Sequence, residues 1–478
     1  VFSAQQFVTT VAVIGGVILI TALLSGLIEK SRLPQVAVFL GLGAVLGSAG
    51  LGLMHVGLDS PILRVVATLS LVLVLFTDAL NLDLKDVRRH AGLAAIVLGP
   101  GTLLSAGIVT LGAWCILGLP LPACAILGAA LASTDPVLLR GIVRNPSLPA
   151  EVRQALRLES GLNDAVLLPI VVIASGFLLA GGPSSGWAET GVRTLLLGPG
   201  AGVAVGLAGV AALDLVRRRV GVRRDYESLY SLGIAFLAYA AAESVHGSGF
   251  LAAFAAGLTI VALDVELCDC FLEYGETTAE MALLFTFVLL GSSLIWTGFD
   301  VLDGRTLLFV ILVFAARPAA FLPALALTPL PARSRWMIAW FGPRGLSSLL
   351  LVLLPVFAGA PGSERLFATC CLVVLASVAI HGGSFTLLMR RLTVAPVVEA
   401  PEPRPVEGGG SIRMSVDELT QLEASGASVV VLDVRTDRSR EESGLDAVGA
   451  VRLSPDDAVR QAERLGLARD AWLVGFCG

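Results

Sequence analysis

The stretch LRLESGLNDAVLLPIVV, residues 156–172, decides how this chain is read. It lies within an apolar run, 155–180, that is long enough to cross a bilayer. Yet it carries Glu159, Ser160, Asn163 and Asp164 within six positions. An ionisable side chain inside a span is costly, so it marks a functional site and needs a partner. Glu159 and Asn163 are i,i+4 neighbours, as are Ser160 and Asp164, which gives two adjacent polar rows on one helix.

The rest of the chain fits a multi-spanning membrane protein. The 478 residues are 55% hydrophobic and only 15% charged, with a mean hydropathy of +0.84. A soluble domain carries roughly 25% charge. The apolar residues fall into about thirteen blocks, at 7–28, 35–53, 62–82, 92–117, 122–143, 155–180, 192–216, 228–245, 248–263, 280–297, 304–327, 335–357 and 366–390. The 52 glycines suit helices that pack closely in lipid. The first block is too long for a signal-peptide core and reads as a retained helix. No basic domain or aromatic-basic interleaving supports nucleic-acid binding. The seven cysteines form no secreted-type framework, and most sit in apolar blocks as packing residues.

Basic residues mark alternate loops: Lys30 and Arg32; Lys85, Arg88 and Arg89; Arg140, Arg144, Arg153 and Arg157; Arg217 to Arg224; Arg333 and Arg335; Arg390 and Arg391. The positive-inside rule puts these in the cytoplasm, with the N-terminus outside and the C-terminus inside the cell inner membrane. The acidic loop DVELCDCFLEYGE, 264–276, breaks the trend. The run Arg217 to Arg224 is a topology signal that also suits anionic lipid.

Two spans are interrupted. In ASTDPVLL, Pro136 removes a backbone donor and disfavours helix at Asp135, which frees carbonyls around Thr134 and Asp135. The same aspartate is suited to cap the half-helix that follows. In WFGPRGLSSLL, Gly342, Pro343 and Gly345 interrupt the twelfth span around Arg344. A buried arginine needs a carboxylate, and Glu159 is the expected partner. Broken helices survive in a membrane only where they line a cavity or are buried in protein. If spans one to six and eight to thirteen are inverted repeats, both breaks fall in corresponding members, the sequence pointer to a transporter site. Asp78 ends the third span. Arg317, before Pro318 in the eleventh, requires a partner; Glu243, His246 and His381 read as helix-end or packing residues.

STDP in the fifth span, ES-x-x-ND in the sixth and GPRG in the twelfth together resemble the sodium/proton exchanger family, NhaP-like branch, over roughly residues 7–391. The resemblance implies an all-α polytopic fold of two inverted six-helix repeats with broken crossing helices. It also implies a monovalent cation/proton antiporter that forms a homodimer and needs no cofactor. Asp164 then binds the cation or the proton, and Asn163 replaces an aspartate of electrogenic relatives. Thr134 and Asp135 contribute backbone and water-mediated contacts, Ser160 adds an oxygen, and Asp78 is the third-span carboxylate. Glu159 and Arg344 form a structural ion pair. The chemistry agrees: a partly dehydrated alkali cation wants hard oxygen ligands. Burial disfavours a lone carboxylate charge, so a proton or a cation must compensate it. The expected cation is Na⁺ or Li⁺, with K⁺/H⁺ exchange or efflux as the alternative. The expected stoichiometry is an electroneutral one for one.

The antiporter region is assigned to 1–393 and a Pro/Gly/Glu linker to 394–411. Residues 412–478 read as an amphipathic helix over SVDELTQLEASG, a buried strand in ASVVVLDVR and a second strand in AWLVGFCG. This segment resembles a C-terminally incomplete rhodanese-like domain. Asp433 and Arg435 match its LDVR strand, Gly449 and Ala450 its next turn, and Cys477 its persulfide-forming cysteine. A membrane-tethered sulfurtransferase is therefore the rival from another class, although thirteen spans exceed what an anchor needs.

Overall fold

The computed structural model describes residues 35–48, 50–54, 56–82, 84–143, 145, 148–180, 191–219, 224–263, 269–392, 428–434, 449–453 and 472–476, with isolated positions elsewhere. The first expected span, the linker and Cys477 lie outside the described residues, apart from scattered positions in the first. The chain divides into two compact units, Val1–Ala395 and Pro396–Gly478.

The first unit is helical. Its helices are α1 (Gln35–Leu46), α2 (Pro61–Leu80), α3 (Leu84–Arg89), α4 (Ala91–Leu117), α5 (Leu121–Ala132), α6 (Pro136–Val143), α7 (Ala150–Leu179) and α8 (Gly198–Arg219). They continue as α9 (Arg224–Ser244), α10 (Gly249–Ala262), α11 (Asp269–Ser292), α12 (Gly304–Leu325), α13 (Ala332–Trp340), α14 (Leu346–Phe357) and α15 (Ser363–Leu392). Two π-helical stretches, Val97–Leu103 and Ala113–Leu117, interrupt α4. Six helical segments among the described residues are long and apolar enough to cross a membrane by themselves: Pro61–Leu80, Ala91–Leu117, Ala150–Leu179, Thr194–Val216, Gly304–Leu325 and Ser363–Ser384. Shorter apolar helices fill the other expected blocks after the first, and α5 and α14 are each half of an interrupted one. The acidic stretch after 263 is not wholly a loop, because α11 already begins at Asp269.

Small residues let these helices approach backbone to backbone, as lipid-embedded packing favours. A Cβ on Gly43 of α1 would meet the Val288 carbonyl of α11 at 2.3 Å, and one on Gly291 would meet Leu40 O at 2.5 Å. The buried core gathers Phe39, Leu71, Phe287, Phe309 and Phe367. Leu111, Trp114, Leu196 and Ile311 lie exposed on the outer face, where the surrounding solvent of a membrane protein is itself apolar.

The second unit holds a three-stranded parallel sheet, order β2-β1-β3, of β1 (Val429–Asp433), β2 (Val451–Arg452) and β3 (Trp472–Phe476). Leu432 pairs with Val451 and Val431 with Val474. The apolar runs VVVLD and WLVGF form the strands read from the sequence. Gly449 takes φ +81°, the left-handed turn conformation, just before β2.

Candidate functional site

Two helix breaks meet at the site. Chain 133–135 separates α5 from α6, and chain 341–345 separates α13 from α14. Each break leaves orphan carbonyls at one half-helix end and orphan N–H groups at the next, and all lie where water is scarce. The breaks satisfy each other. The Asp135 N–H donates to Pro343 O at 2.9 Å. Asp135 Oδ2 accepts from the Leu346 N–H at 2.6 Å, and Oδ1 from the Leu138 N–H at 3.4 Å. One carboxylate therefore serves the N-termini of α14 and α6 together, where the helix dipoles favour negative charge.

Arg344 does the converse. Its guanidinium donates to Leu131 O (3.0 Å) in the last turn of α5, to Gly342 O (2.9 Å) and to Val313 O (3.2 Å). Positive charge at a helix C-terminus is favourable. The expected ion pair between Glu159 and Arg344 is thus corrected. Backbone carbonyls from the end of α5, from the second break and from α12 occupy the Arg344 guanidinium, so it needs no carboxylate of its own. Glu159 is instead bidentate with Arg317, Oε2 at 2.6 Å from one terminal nitrogen and Oε1 bonded to the other. Arg317 also donates to Ile338 O (2.9 Å) and Phe341 O (3.3 Å) at the end of α13, and lies over the Phe321 ring at 4.1 Å. This is the partner that Arg317 required.

The glycines of GPRG have steric roles. A Cβ on Gly342 would stand 2.3 Å from Arg317 Nε, and one on Gly345 would stand 2.0 Å from Asp135 Oδ2. Each glycine admits one of the charged side chains that hold the crossing together.

The polar rows of α7 face the first break. Asp164 Oδ1 accepts from the Ser133 hydroxyl at 2.6 Å. Asn163 Nδ2 donates to Thr134 Oγ1 at 2.9 Å and to Thr134 O at 3.3 Å. Asp164, Asn163, Thr134 and Asp135 are all buried. Asn163 Oδ1 accepts no hydrogen bond among the described residues. A buried polar atom without a partner costs about 1–3 kcal/mol. Ser160 does not touch Asp164; its hydroxyl donates to Arg157 O at 3.4 Å. It lines a cavity of about 350 Å³ with Thr77 and Asp78 of α2, Asn81 just after it, Pro136 of α6 and Glu280 of α11. The cavity reaches Ser160, one helical turn from Asp164.

Sequence reasoning missed Ser133 and Glu280. Ser133 is the first residue of the quoted STDP motif and was legible as a hydroxyl beside a break. Glu280, at the edge of an apolar block, was legible as an ionisable residue near a span end. The residues read as packing or helix-end groups behave so. The Glu243 carboxylate accepts from the Gly249 N–H at 2.9 Å. His381 bridges Ser377 (3.1 Å) and Trp340 O (3.2 Å), and the Arg344 N–H donates to Ser377 Oγ at 2.7 Å. Because the Trp340 carbonyl only accepts, His381 Nε2 carries the hydrogen and Nδ1 accepts from Ser377, so a neutral ring satisfies the chain of bonds. Cys124, Cys370 and Cys371 are free and buried.

Residues 17–391 match the family model described as sodium/hydrogen exchanger, transmembrane. The K(+)/H(+) antiporter NhaP2 of Shewanella sp. strain ANA-3 is 28% identical over 404 residues, which cover 82% of this chain and 68% of that protein. The K(+)/H(+) antiporter NhaP of Alkalimonas amylolytica is 26% identical over 420 residues, covering 87% and 71%. The Na(+)/H(+) antiporter NhaG of Bacillus atrophaeus is 24% identical over 408 residues, covering 79% and 74%. Among solved structures, the sodium proton antiporter MjNhaP1 of Methanocaldococcus jannaschii at pH 8 superposes with a TM-score of 0.65 at 20% identity, covering 79% of this chain and 99% of that one. That likeness is one of fold.

Proposed function

Because this chain belongs to the sodium/hydrogen exchanger family, a family of transporters rather than enzymes, we propose that Asp164 is the group through which it exchanges one monovalent alkali cation for one proton. One observation carries the assignment. Of the buried carboxylates at the crossing, Glu159 is taken by Arg317 and Asp135 by two helix N-termini, whereas Asp164 is held by the neutral Ser133 hydroxyl. Its charge has to be balanced by a cargo, and a proton and a cation compete for that role. Competition at one carboxylate, with access alternating between the two sides, is sufficient for exchange. Ser133, Thr134 and Ser160 supply hard neutral oxygens along the path, and the cavity edged by Asp78 is the approach to it.

The cation is Na⁺ on the reading of the motifs. A second reading, K⁺, is favoured by the relatives named as K(+)/H(+) antiporters. The basic loops support an orientation in which the cavity end faces the cytoplasm across an inner membrane, and the family resemblance supports a homodimer. The parallel sheet of the second unit is compatible with a rhodanese-like appendage, whose Cys477 lies outside the described residues.

Proteoliposomes with an internal pH-sensitive dye test this reading. Na⁺, Li⁺ and K⁺ are added in turn to the wild-type protein and to Asp164→Asn. The wild type should move protons in response to its substrate cation, and Asp164→Asn should insert normally yet move none. Proton movement at the wild-type rate in that variant would remove Asp164 from the mechanism.

A further inference from the structure

His381 is a buried titratable group that the exchange scheme leaves idle. It does more than fill space. The second break, 341–345, lacks helical bonds of its own and lies where water is scarce, so side chains must answer its backbone groups. Asp135 does so from the first break, and α15 does so as well. The Arg344 N–H donates to Ser377 Oγ (2.7 Å), the Ser377 hydroxyl to His381 Nδ1 (3.1 Å), and His381 Nε2 to Trp340 O (3.2 Å). Two side chains of α15 thus join a carbonyl at the end of α13 to an N–H inside the break. The imidazole itself is held. Its ring lies 5.6 Å from that of Phe314 and 5.9 Å from that of Trp340, and the Phe314 ring also carries the Arg344 guanidinium at 5.6 Å. The Trp340 indole donates to Ser384 Oγ at 3.2 Å, and Ser384 to His381 O at 3.1 Å. The same guanidinium donates to Leu131 O, two residues before Ser133, the hydroxyl that holds Asp164.

We propose that His381 is a positioning residue for exchange: with Ser377 it splints the second break and so fixes Arg344, which holds the first break beside Asp164. The inference rests on the exchange reading above and deepens it. The chemistry of the ring suits the task. A neutral imidazole is at once a donor and an acceptor, and here the donor meets a backbone carbonyl while the acceptor meets a hydroxyl already engaged by a backbone N–H. An aliphatic side chain of similar size would keep the packing and lose both bonds. Trp340 O would then lose this donor, and the Ser377 hydroxyl its acceptor, in a buried setting where such a chain of bonds is polarised along its length. The break would be free to shift, and with it the Arg344 fork on Leu131. The effect expected at Asp164 is therefore one of geometry, transmitted through four side chains, while His381 itself touches no cargo.

The test compares wild type, His381→Leu, His381→Gln and Ser377→Ala in two measurements. The first is the apparent KM and maximal rate for Li⁺, Na⁺ and K⁺ in proteoliposomes at one imposed pH gradient. The second is the rise in unfolding temperature that each cation produces in detergent, which reads binding without transport. His381→Leu should raise the KM of the best cation about tenfold, the scale of one lost buried hydrogen bond, and change the maximal rate less. It should also shrink the cation-induced stabilisation. Ser377→Ala interrupts the same chain and should act in the same direction. His381→Gln offers a donor and an acceptor side by side, as the neutral ring does, and should restore both readouts. A His381→Leu protein that melts earlier yet keeps the wild-type KM and cation-induced stabilisation would make His381 a packing residue only and overturn the proposal. A His381→Gln protein no better than His381→Leu would overturn it too. If His381→Leu does not fold, a folded Ser377→Ala protein with wild-type KM would overturn it equally. Failure of the wild type to move protons with any cation would refute the exchange reading, while the stabilisation measurement would still judge the positioning role.

Discussion

Replacing Glu159 by alanine removes the carboxylate that both terminal nitrogens of Arg317 contact. The guanidinium would keep the carbonyls of Ile338 and Phe341 and the face of Phe321, but its charge would be uncompensated at 2% exposure. Breaking a buried pair in this way costs about 3–5 kcal/mol. At about 1.4 kcal/mol per factor of ten, the folded-to-unfolded ratio falls by roughly two to four powers of ten. Arg317→Ala should cost a similar amount, because Glu159 is fully buried. The double variant leaves neither charge stranded, so its loss should fall short of the sum by about 2–3 kcal/mol. Equilibrium unfolding in mixed detergent micelles, run on the four proteins of the cycle, reads this coupling. A parallel cycle with Arg344→Ala should show a smaller one, since Arg344 is spent on the carbonyls of Leu131, Gly342 and Val313. Additive losses for Glu159 and Arg317, or a stronger coupling to Arg344, would refute the assignment of the pair.

Gly345→Ala places a methyl group 2.0 Å from Asp135 Oδ2. It should drive that carboxylate off the Leu346 N–H and cut exchange at least tenfold, on the scale of a lost charge-assisted bond of ~1.5–3 kcal/mol; flux in proteoliposomes measures it. If Asp164 alone titrates, exchange is electroneutral, because Asn163 carries no proton across. The rate should then ignore a membrane potential, set with a permeant anion so that K⁺ remains testable as substrate, and a sustained current on a solid-supported membrane would demand a second titrating group. Outside the membrane, Asp303 caps α12 by accepting from the Thr306 N–H at 2.7 Å, and these bonds hold its carboxyl below the usual carboxylate range. Its contribution is present above the unfolded pKa and lost as pH falls through the lowered folded one. Asp303→Asn, which retains a cap, should therefore be more stable than Asp303→Ala at neutral pH in thermal melts, and the gap between wild type and Asp303→Ala should close in acid.

Much of the molecule was legible in one dimension. Hydropathy located the helices because a backbone in lipid has few ways other than a helix to satisfy its polar groups. Pro136 and the Gly-Pro-x-Gly of the twelfth block marked both breaks, because proline and glycine act on the backbone locally whatever surrounds them. The polar rows of α7 followed from the helical period alone. The strands β1 and β3 were likewise written in their apolar runs.

The pairing of charges was not legible. Sequence logic gave Arg344 to Glu159 on the rule that a buried arginine needs a carboxylate. The rule failed because the two breaks cross, and the crossing puts orphan backbone groups within reach of side chains far away in the chain, as between Leu131 and Arg344, 213 residues apart. Carbonyls at a helix C-terminus are acceptors as real as a carboxylate, but their place in space exists only after folding. The same holds for Asp135, which serves two helix starts, one of them on a half-helix from the far side of the sequence. The residue types gathered at the crossing, Asp164 among them, were thus determined by the sequence. Which of the other charges pair with side chains and which with backbone was decided by tertiary structure, since it depends on the orphan groups that the crossing brings together.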